Sequence, residues 1–319
     1  MAPTGPGVVT ERRVVRRLVR RGLRSARIRP AALRAAATAG RGLILVYHRI
    51  ALGTDPGGGV VPTVHVDLFR RQLEAILDVG EVVELELLLR TSEPRRRPRL
   101  ALTFDDDYLT HRDVALPVLR ELRVPATFFL CGRALRGMGP AWFDLLDRLV
   151  RRDGLERTRR SLGSDAETVE ALALACERNQ PLRRAVIERG GALASDGQLD
   201  SADIAALTLA NMSIGFHTLR HVVLPTLDDS SLQSEILAGR DALEAAASQR
   251  ISIFAYPHGK ADARTARAVR DAGYRAAVTG HPRPITRRSD RFLLGRWEPG
   301  PLNVDDLVSG IAAKLSRPS

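Results

Sequence analysis

Short apolar runs alternate with amphipathic stretches along most of this chain. Residues 43–47 form a continuous apolar run that ends at His48, and residues 100–104 form another that ends at Asp105. Unbroken runs of this length predict strands covered on both faces. Residues 126–130, 212–216, 251–256 and 275–279 read the same way. Helical patterns lie between them. One runs from Leu68 to about Leu77, capped by Asp67, with Phe69, Leu73, Ile76 and Leu77 on one face. Others fall at 85–90, 113–122, 231–247 and 262–272. Residues 140–210 carry helical patterns only (141–151, 167–178, 201–207) and read as an insertion. Strand, acidic loop, helix, strand is a βαβ unit, so the pattern predicts an α/β protein, either a barrel or a doubly wound sheet.

Composition narrows this picture. A 319-residue chain with 44% hydrophobic residues can bury a large core. Only 4% is aromatic, so stacking platforms are few. Cys131 and Cys176 match no metal or redox spacing and read as apolar fillers. The net charge of +12 suggests nucleic acid until it is mapped. Residues 1–42 hold eleven arginines against one acid, Glu11, so the rest carries only about +2. A nucleic-acid-binding body is therefore not expected. Arginine outnumbers lysine 47 to 2, a bias that reflects codon usage as much as function.

The basicity belongs to an N-terminal arm. Val15, Val19 and Leu23 recur every fourth residue among arginine pairs, which predicts a basic amphipathic helix at 11–29. Such a helix can lie on an anionic membrane surface, and the pattern equally suits a solvated helix or a leader. No apolar run reaches the ~18 residues of a membrane span, and no secretory h-region is visible. The expected location is the cytoplasm, peripheral at the inner membrane face.

Three segments carry candidate chemistry, and each sits at the end of an apolar run. Thr103-Phe104-Asp105-Asp106 offers adjacent carboxylates, which repel unless a cation or donors compensate; alone they could simply cap the next helix. His217-Thr218-Leu219-Arg220-His221 offers two imidazoles four residues apart, on a helix face or in a loop. One carboxylate and two imidazoles would leave a metal position open for water, as a hydrolytic ion requires. Tyr256-Pro257-His258-Gly259 closes a strand with a rigid turn, and the His258 N–H could face a developing oxyanion. His65, His111 and His281 lack a partner at ligand spacing and read as surface residues. Tyr256 and Trp297 could form a sugar-stacking floor, while Trp142 and Phe143 read as anchors of the insertion.

Together these motifs resemble the polysaccharide deacetylase family, the NodB-homology group of carbohydrate esterases. Thr103–Asp106 resembles its first motif, TFDDG; His217–His221 its second, H-[ST]-x-x-H; and 254–259 its third. The resemblance implies a distorted (β/α) barrel of about seven strands over 43–300, with the insertion at about 140–210, a basic arm at 1–42 and a C-terminal helix or tail at 301–319. It implies Asp105 as general base and Asp106, His217 and His221 as ligands of a divalent metal, Zn first and Ni, Co or Fe as alternatives. Pro257, Tyr256, Trp297 and the N–H of His258 would serve the oxyanion and substrate.

The family's late general-acid histidine has no counterpart here. Val46-Tyr47-His48 is similar to the Tyr-His-Arg opening of a circularly permuted branch, which assigns the acid to His48. Asp107 stands where the family motif has glycine, adding charge beside the metal, and His258 where it has tyrosine. The implied activity is metal-dependent removal of N-acetyl groups from an amino sugar in a polysaccharide, oligosaccharide or lipid-linked glycan. The alternative is a non-catalytic barrel that binds a carbohydrate or a partner.

Overall fold

The computed structural model describes residues 30–53, 59–90, 93–191 and 197–317. The arm helix expected at 11–29 lies outside them. Among the described residues the strands are β1 (Gly42–Tyr47), β2 (Arg49–Ala51), β3 (Thr63–His65), β4 (Glu81–Val82), β5 (Arg99–Asp105), β6 (Ala126–Leu130), β7 (Ser213–Phe216), β8 (Ile253–Ala255), β9 (Ala276–Val278) and β10 (Arg296–Trp297). The first helices are α1 (30–38), α2 (Val66–Val79), α3 (Leu85–Arg90) and α4 (Leu116–Glu121). Five more form the insertion: α5 (Trp142–Asp153), α6 (Leu155–Ser161), α7 (Val169–Arg178), α8 (Gln180–Gly190) and α9 (Ser201–Leu209). The last are α10 (Asp229–Leu237), α11 (Arg240–Ala247), α12 (Ala263–Asp271) and α13 (Val304–Leu315).

Seven parallel strands run in the order β10-β1-β5-β6-β7-β8-β9, and β4 pairs with β5 beside this path. A bridge between Val278 and Leu294 brings β9 to the segment that enters β10, so the ring nearly closes into a barrel. The apolar runs are explained by this architecture. Every residue of β1, β5 and β6 is buried, because one face meets helices and the other meets the barrel interior.

The two faces sort cleanly by alternation. Leu43, Leu45, Tyr47, Leu100, Leu102, Phe104, Phe128 and Phe254 pack with helix residues such as Phe69, Leu73 and Leu119. Ile44, Ala101, Phe129, Ile253, Ala255 and Val278 form a separate inner cluster. Thr103 and Asp105 are in phase with Ala101, so the pleat itself turns Asp105 into the barrel.

Several boundaries differ from the reading of the pattern. The helix expected to start after Asp67 starts at Val66, and His65 caps it by accepting the Asp67 N–H. The 113–122 helix opens earlier, as a π-helical turn over His111–Ala115. The 231–247 helix is broken at Gly239, whose φ of 88° ends one helix and starts the next. The insertion packs its own small core around Leu146, Leu149, Leu172 and Cys176. Cys131 and Cys176 are both buried free thiols, as fillers should be.

Candidate active site

The C-terminal ends of the strands deliver one cluster of polar side chains. β1 ends at His48, β5 carries Asp105 and leads into Asp106, β7 leads into His217, and β8 leads into the Pro257–Gly259 turn. His48, Asp105, Asp106, His217, His221 and His258 line a single cavity of about 630 Å3.

Asp106, His217 and His221 present donor atoms that all lie within 4.8 Å of one another. The backbone is bent to bring them there. Asp106, Thr218, His221 and His258 all have positive φ (73°, 61°, 51° and 57°). Such conformations are costly for residues with a Cβ and cluster at functional sites. The two histidines thus meet from a loop rather than a helix, with the His221 N–H held by the Thr218 hydroxyl at 3.1 Å. His217 donates its Nδ1–H to the Ala255 carbonyl at 2.9 Å, which leaves Nε2 as the lone-pair nitrogen facing the carboxylates.

The chemistry of this set fits a cation. Oδ1 of Asp106 and Nδ1 of His221 are buried without a hydrogen-bond partner. Burial, reinforced by neighbouring carboxylates, pushes Asp106 well above the usual carboxylate range. Burial drives His217 down to about 4 and His221 further below its ordinary value, so both imidazoles are neutral. A carboxylate short of counter-charge beside two neutral imidazoles is a donor set that a divalent metal satisfies.

Asp105 is held differently. Burial opposes its ionisation, but Arg296 outweighs that and keeps the carboxyl well below its ordinary range. Nη1 of Arg296 lies 2.6 Å from Oδ1, and Nη2 lies 2.7 Å from Oδ2. The motif reading did not single out Arg296. The register accounts for its position: Arg296 pairs with Ile44, which pairs with Ala101, so it falls on the inward phase. A lone arginine at such a position needs a buried acid.

His48 has a partner that the sequence also concealed. Its Nδ1 lies 2.9 Å from Glu298 Oε1. Burial alone would lower His48, yet the charge and hydrogen bond of Glu298 raise it to about 9. His48 is therefore an imidazolium at neutral pH, able to give up a proton.

Several expectations are revised. Tyr256 is fully buried and donates its hydroxyl to the Phe292 carbonyl at 2.9 Å; it is a core residue behind the site. Trp297 packs against Gly310 and Lys314 of α13 and does not line the cavity, so no stacking floor forms from this pair. Asp107 adds its charge beside Asp106 but not a side chain in the cavity. Its carboxylate accepts three backbone N–H groups, from Cys131, Gly132 and Arg133, at 2.8–3.1 Å. His111 is not on the surface. It is fully buried, its Nε2 lies 3.0 Å from the His48 carbonyl, and its ring packs on Phe104, Phe128 and Tyr108. Pro257 is buried and shapes the turn rather than lining the cavity.

The turn also explains Gly259. Its φ is +64°, and a Cβ there would run into the backbone of Gly280. The insertion supplies more than anchorage. Phe143 packs its ring 4.7 Å from that of His221, and Trp142 lines the cavity beside it.

The family model for polysaccharide deacetylases matches residues 92–277. The chain belongs to the polysaccharide deacetylase family. YxkH of Bacillus subtilis, named for the same family, is 22% identical over 262 residues, which span 81% of this chain and 71% of that one. Among solved structures, the Streptococcus pyogenes deacetylase PplD superposes with a TM-score of 0.60 at 18% identity, covering 85% of this chain and 98% of that one. IcaB from Ammonifex degensii superposes with a TM-score of 0.55 at 18% identity, covering 87% and 97%. These likenesses establish the shared barrel fold, and the family's (β/α) barrel is the architecture seen here. No helix among the described residues is long and apolar enough to cross a membrane.

Proposed function

We propose that this deacetylase removes N-acetyl groups from an amino sugar of a glycan, using a divalent metal held by Asp106, His217 and His221. The observation that carries the reading is the pair of oppositely tuned groups around that set. Asp105 is held ionised and His48 is held protonated at one cavity, as a base and an acid acting in one reaction require. Zinc is the proposed ion. When bound, it would polarise the amide carbonyl and acidify a water.

Asp105 takes the proton of the attacking water, and Arg296 keeps its carboxylate oriented and ready to accept. The N–H of His258, in the left-handed residue of the turn, is the proposed donor to the tetrahedral oxyanion. His48 delivers its proton to the departing nitrogen, since an amide nitrogen cannot leave as an anion. Glu298 holds the imidazolium in place and restores its proton affinity for the next cycle.

The alternative of a non-catalytic barrel drew support from Asp107 and His258. The Asp107 carboxylate is spent on backbone N–H groups, so that departure leaves the chemical groups untouched. The deciding experiment measures acetate release from N-acetylated oligosaccharides by wild type and Asp105→Asn after zinc loading. Release by wild type that falls at least ~100-fold in the variant is expected. Equal rates in the two proteins would defeat the assignment.

A further inference from the structure

The cavity wall divides by chemistry. The barrel side is built from histidines, carboxylates and Arg296. The opposite side comes from the insertion and the loop before β3, and it is apolar: Val60, Trp142, Phe143, Val169, Ala173 and Leu174. Glu170 and Glu177 are the charged groups of that side, and both lie on α7. Glu177 sits 3.4 Å from Lys260, just beyond the His258 turn, so α7 and the turn face each other across the cavity.

This wall is the outer rim of the insertion core: Val60, Trp142, Val169 and Ala173 pack against that core and stay partly buried, and Leu174 beside them is 41% exposed. An apolar surface that continues directly from a metal-ligand set meets whatever the reacting group is attached to. A pyranose could stack one face on Trp142, but along the aliphatic remainder of the wall its hydroxyls would find only the two carboxylates of α7. A hydrocarbon loses nothing and gains burial.

We infer that the insertion side of the cavity is a subsite for a hydrocarbon chain carried by the amino sugar. The inference rests on the deacetylase reading and extends it to an amphiphilic substrate. The chain could enter as part of the glycosidic group or as part of the N-acyl group, and the two have the same chemistry at this wall.

The test compares four probes with the zinc-loaded protein: the methyl and octyl glycosides of N-acetylglucosamine, the methyl glycoside carrying N-hexanoyl, and chitotetraose. Octyl glycoside is kept below its micellar concentration. Each methylene removed from water favours binding about fourfold. A kcat/KM at least tenfold above that of the methyl N-acetyl glycoside is expected for the octyl glycoside or the N-hexanoyl compound. Which one responds identifies the route of entry. Leu174→Asp should cut that ratio at least threefold.

A second readout does not need turnover. Octyl glucoside should shift the emission of Trp142, and the shift should vanish in Trp142→Phe. Ratios within twofold of one, or preference for chitotetraose, overturn the inference while leaving the deacetylase reading intact. Absence of turnover on every probe defeats the deacetylase reading. The emission titration then decides the subsite, and no shift overturns it.

Discussion

Arg296 and Asp105 form a buried two-pronged ion pair across the barrel, although 191 residues separate them in the chain. Arg296 also reaches the Thr103 hydroxyl and the Thr279 carbonyl, both at 3.3 Å, so its guanidinium is fixed from several sides. The planar fork matches a carboxylate in a way that an ammonium cannot. Arg296→Ala should therefore leave Asp105 buried without a counter-charge, and its pKa should rise. The acid limb of the pH–rate profile is expected to move upward and kcat/KM to fall at least ~100-fold. Stability should drop by about 3–5 kcal/mol, the usual cost of orphaning a buried charge. Arg296→Lys should recover part of the stability and little of the rate. A pH–rate series with urea unfolding checks both halves.

His48 provides a second pH signature. Its pKa is raised in the fold, to about 9 from 6.5, so its ion pair with Glu298 stabilises the protein fully below pH 6.5. That contribution is lost as pH rises through about 9. In its proposed role as general acid His48 must also be protonated, so the rate should fall over the same alkaline range. Glu298→Gln removes the largest raising charge and leaves burial opposed only by Asp105 and Asp106. The imidazole should then titrate well below the wild-type value. The measurement is an NMR titration of metal-free wild type and variant. An unchanged His48 titration in Glu298→Gln would contradict the pairing.

The proposed metal ligands and the proposed base should separate by mutation. Asp106→Ala and His217→Ala should lose bound zinc and activity together. Asp105→Asn should keep the metal and lose the rate, because Asp105 is held by Arg296 rather than committed as a ligand. Metal that binds only the folded state at 100 times its Kd should stabilise wild type by about 2.7 kcal/mol. Elemental analysis beside thermal melts, with and without chelator, tests the whole pattern. Zinc retained by Asp106→Ala would exclude that residue from the set.

Part of this was legible in the sequence because barrel strands are apolar on both faces and deliver the residues that follow them to one end. His48, Asp105, His217 and Pro257 were grouped by that regularity and Asp106 and His221 by their motifs, and the structure lines one cavity with all of these except Pro257. What escaped depended on register. Arg296 shares a two-residue strand with Trp297, and Glu298 follows it, a segment too short for any periodicity to reveal which side chain points inward. Tyr256 and Trp297 misled because an aromatic beside a motif carries no sign of its rotation; one faces the core and the other faces α13. His111 was missed because the helix opens two residues before the position its pattern suggested, so the residue reads as loop while its ring is buried against Phe104 and Phe128.

One fully buried carboxylate helps to tie the insertion to the rest of the fold. Asp147 of α5 is 1% exposed, with Oδ2 2.8 Å from Arg49 Nη1 of β2 and 2.9 Å from Arg151 Nε. Its Oδ1 accepts the Val61 N–H at 3.2 Å. One side chain thus joins helix, strand pair and cavity loop. Asp147→Ala would leave the buried Arg49 without that carboxylate, at a cost of about 3–5 kcal/mol. Asp147→Asn keeps an acceptor for Val61 and should cost less. Because the tether lies beyond the reacting groups, KM should rise more than kcat falls, as the loop at 59–61 loses its position on the cavity wall. The insertion should also become the first region cut by trypsin, given its many arginines. Limited proteolysis followed by mass mapping checks this. A variant that melts like wild type, with cleavage spread evenly over the barrel, would show that the small core around Leu146 and Leu172 holds the insertion in place without Asp147.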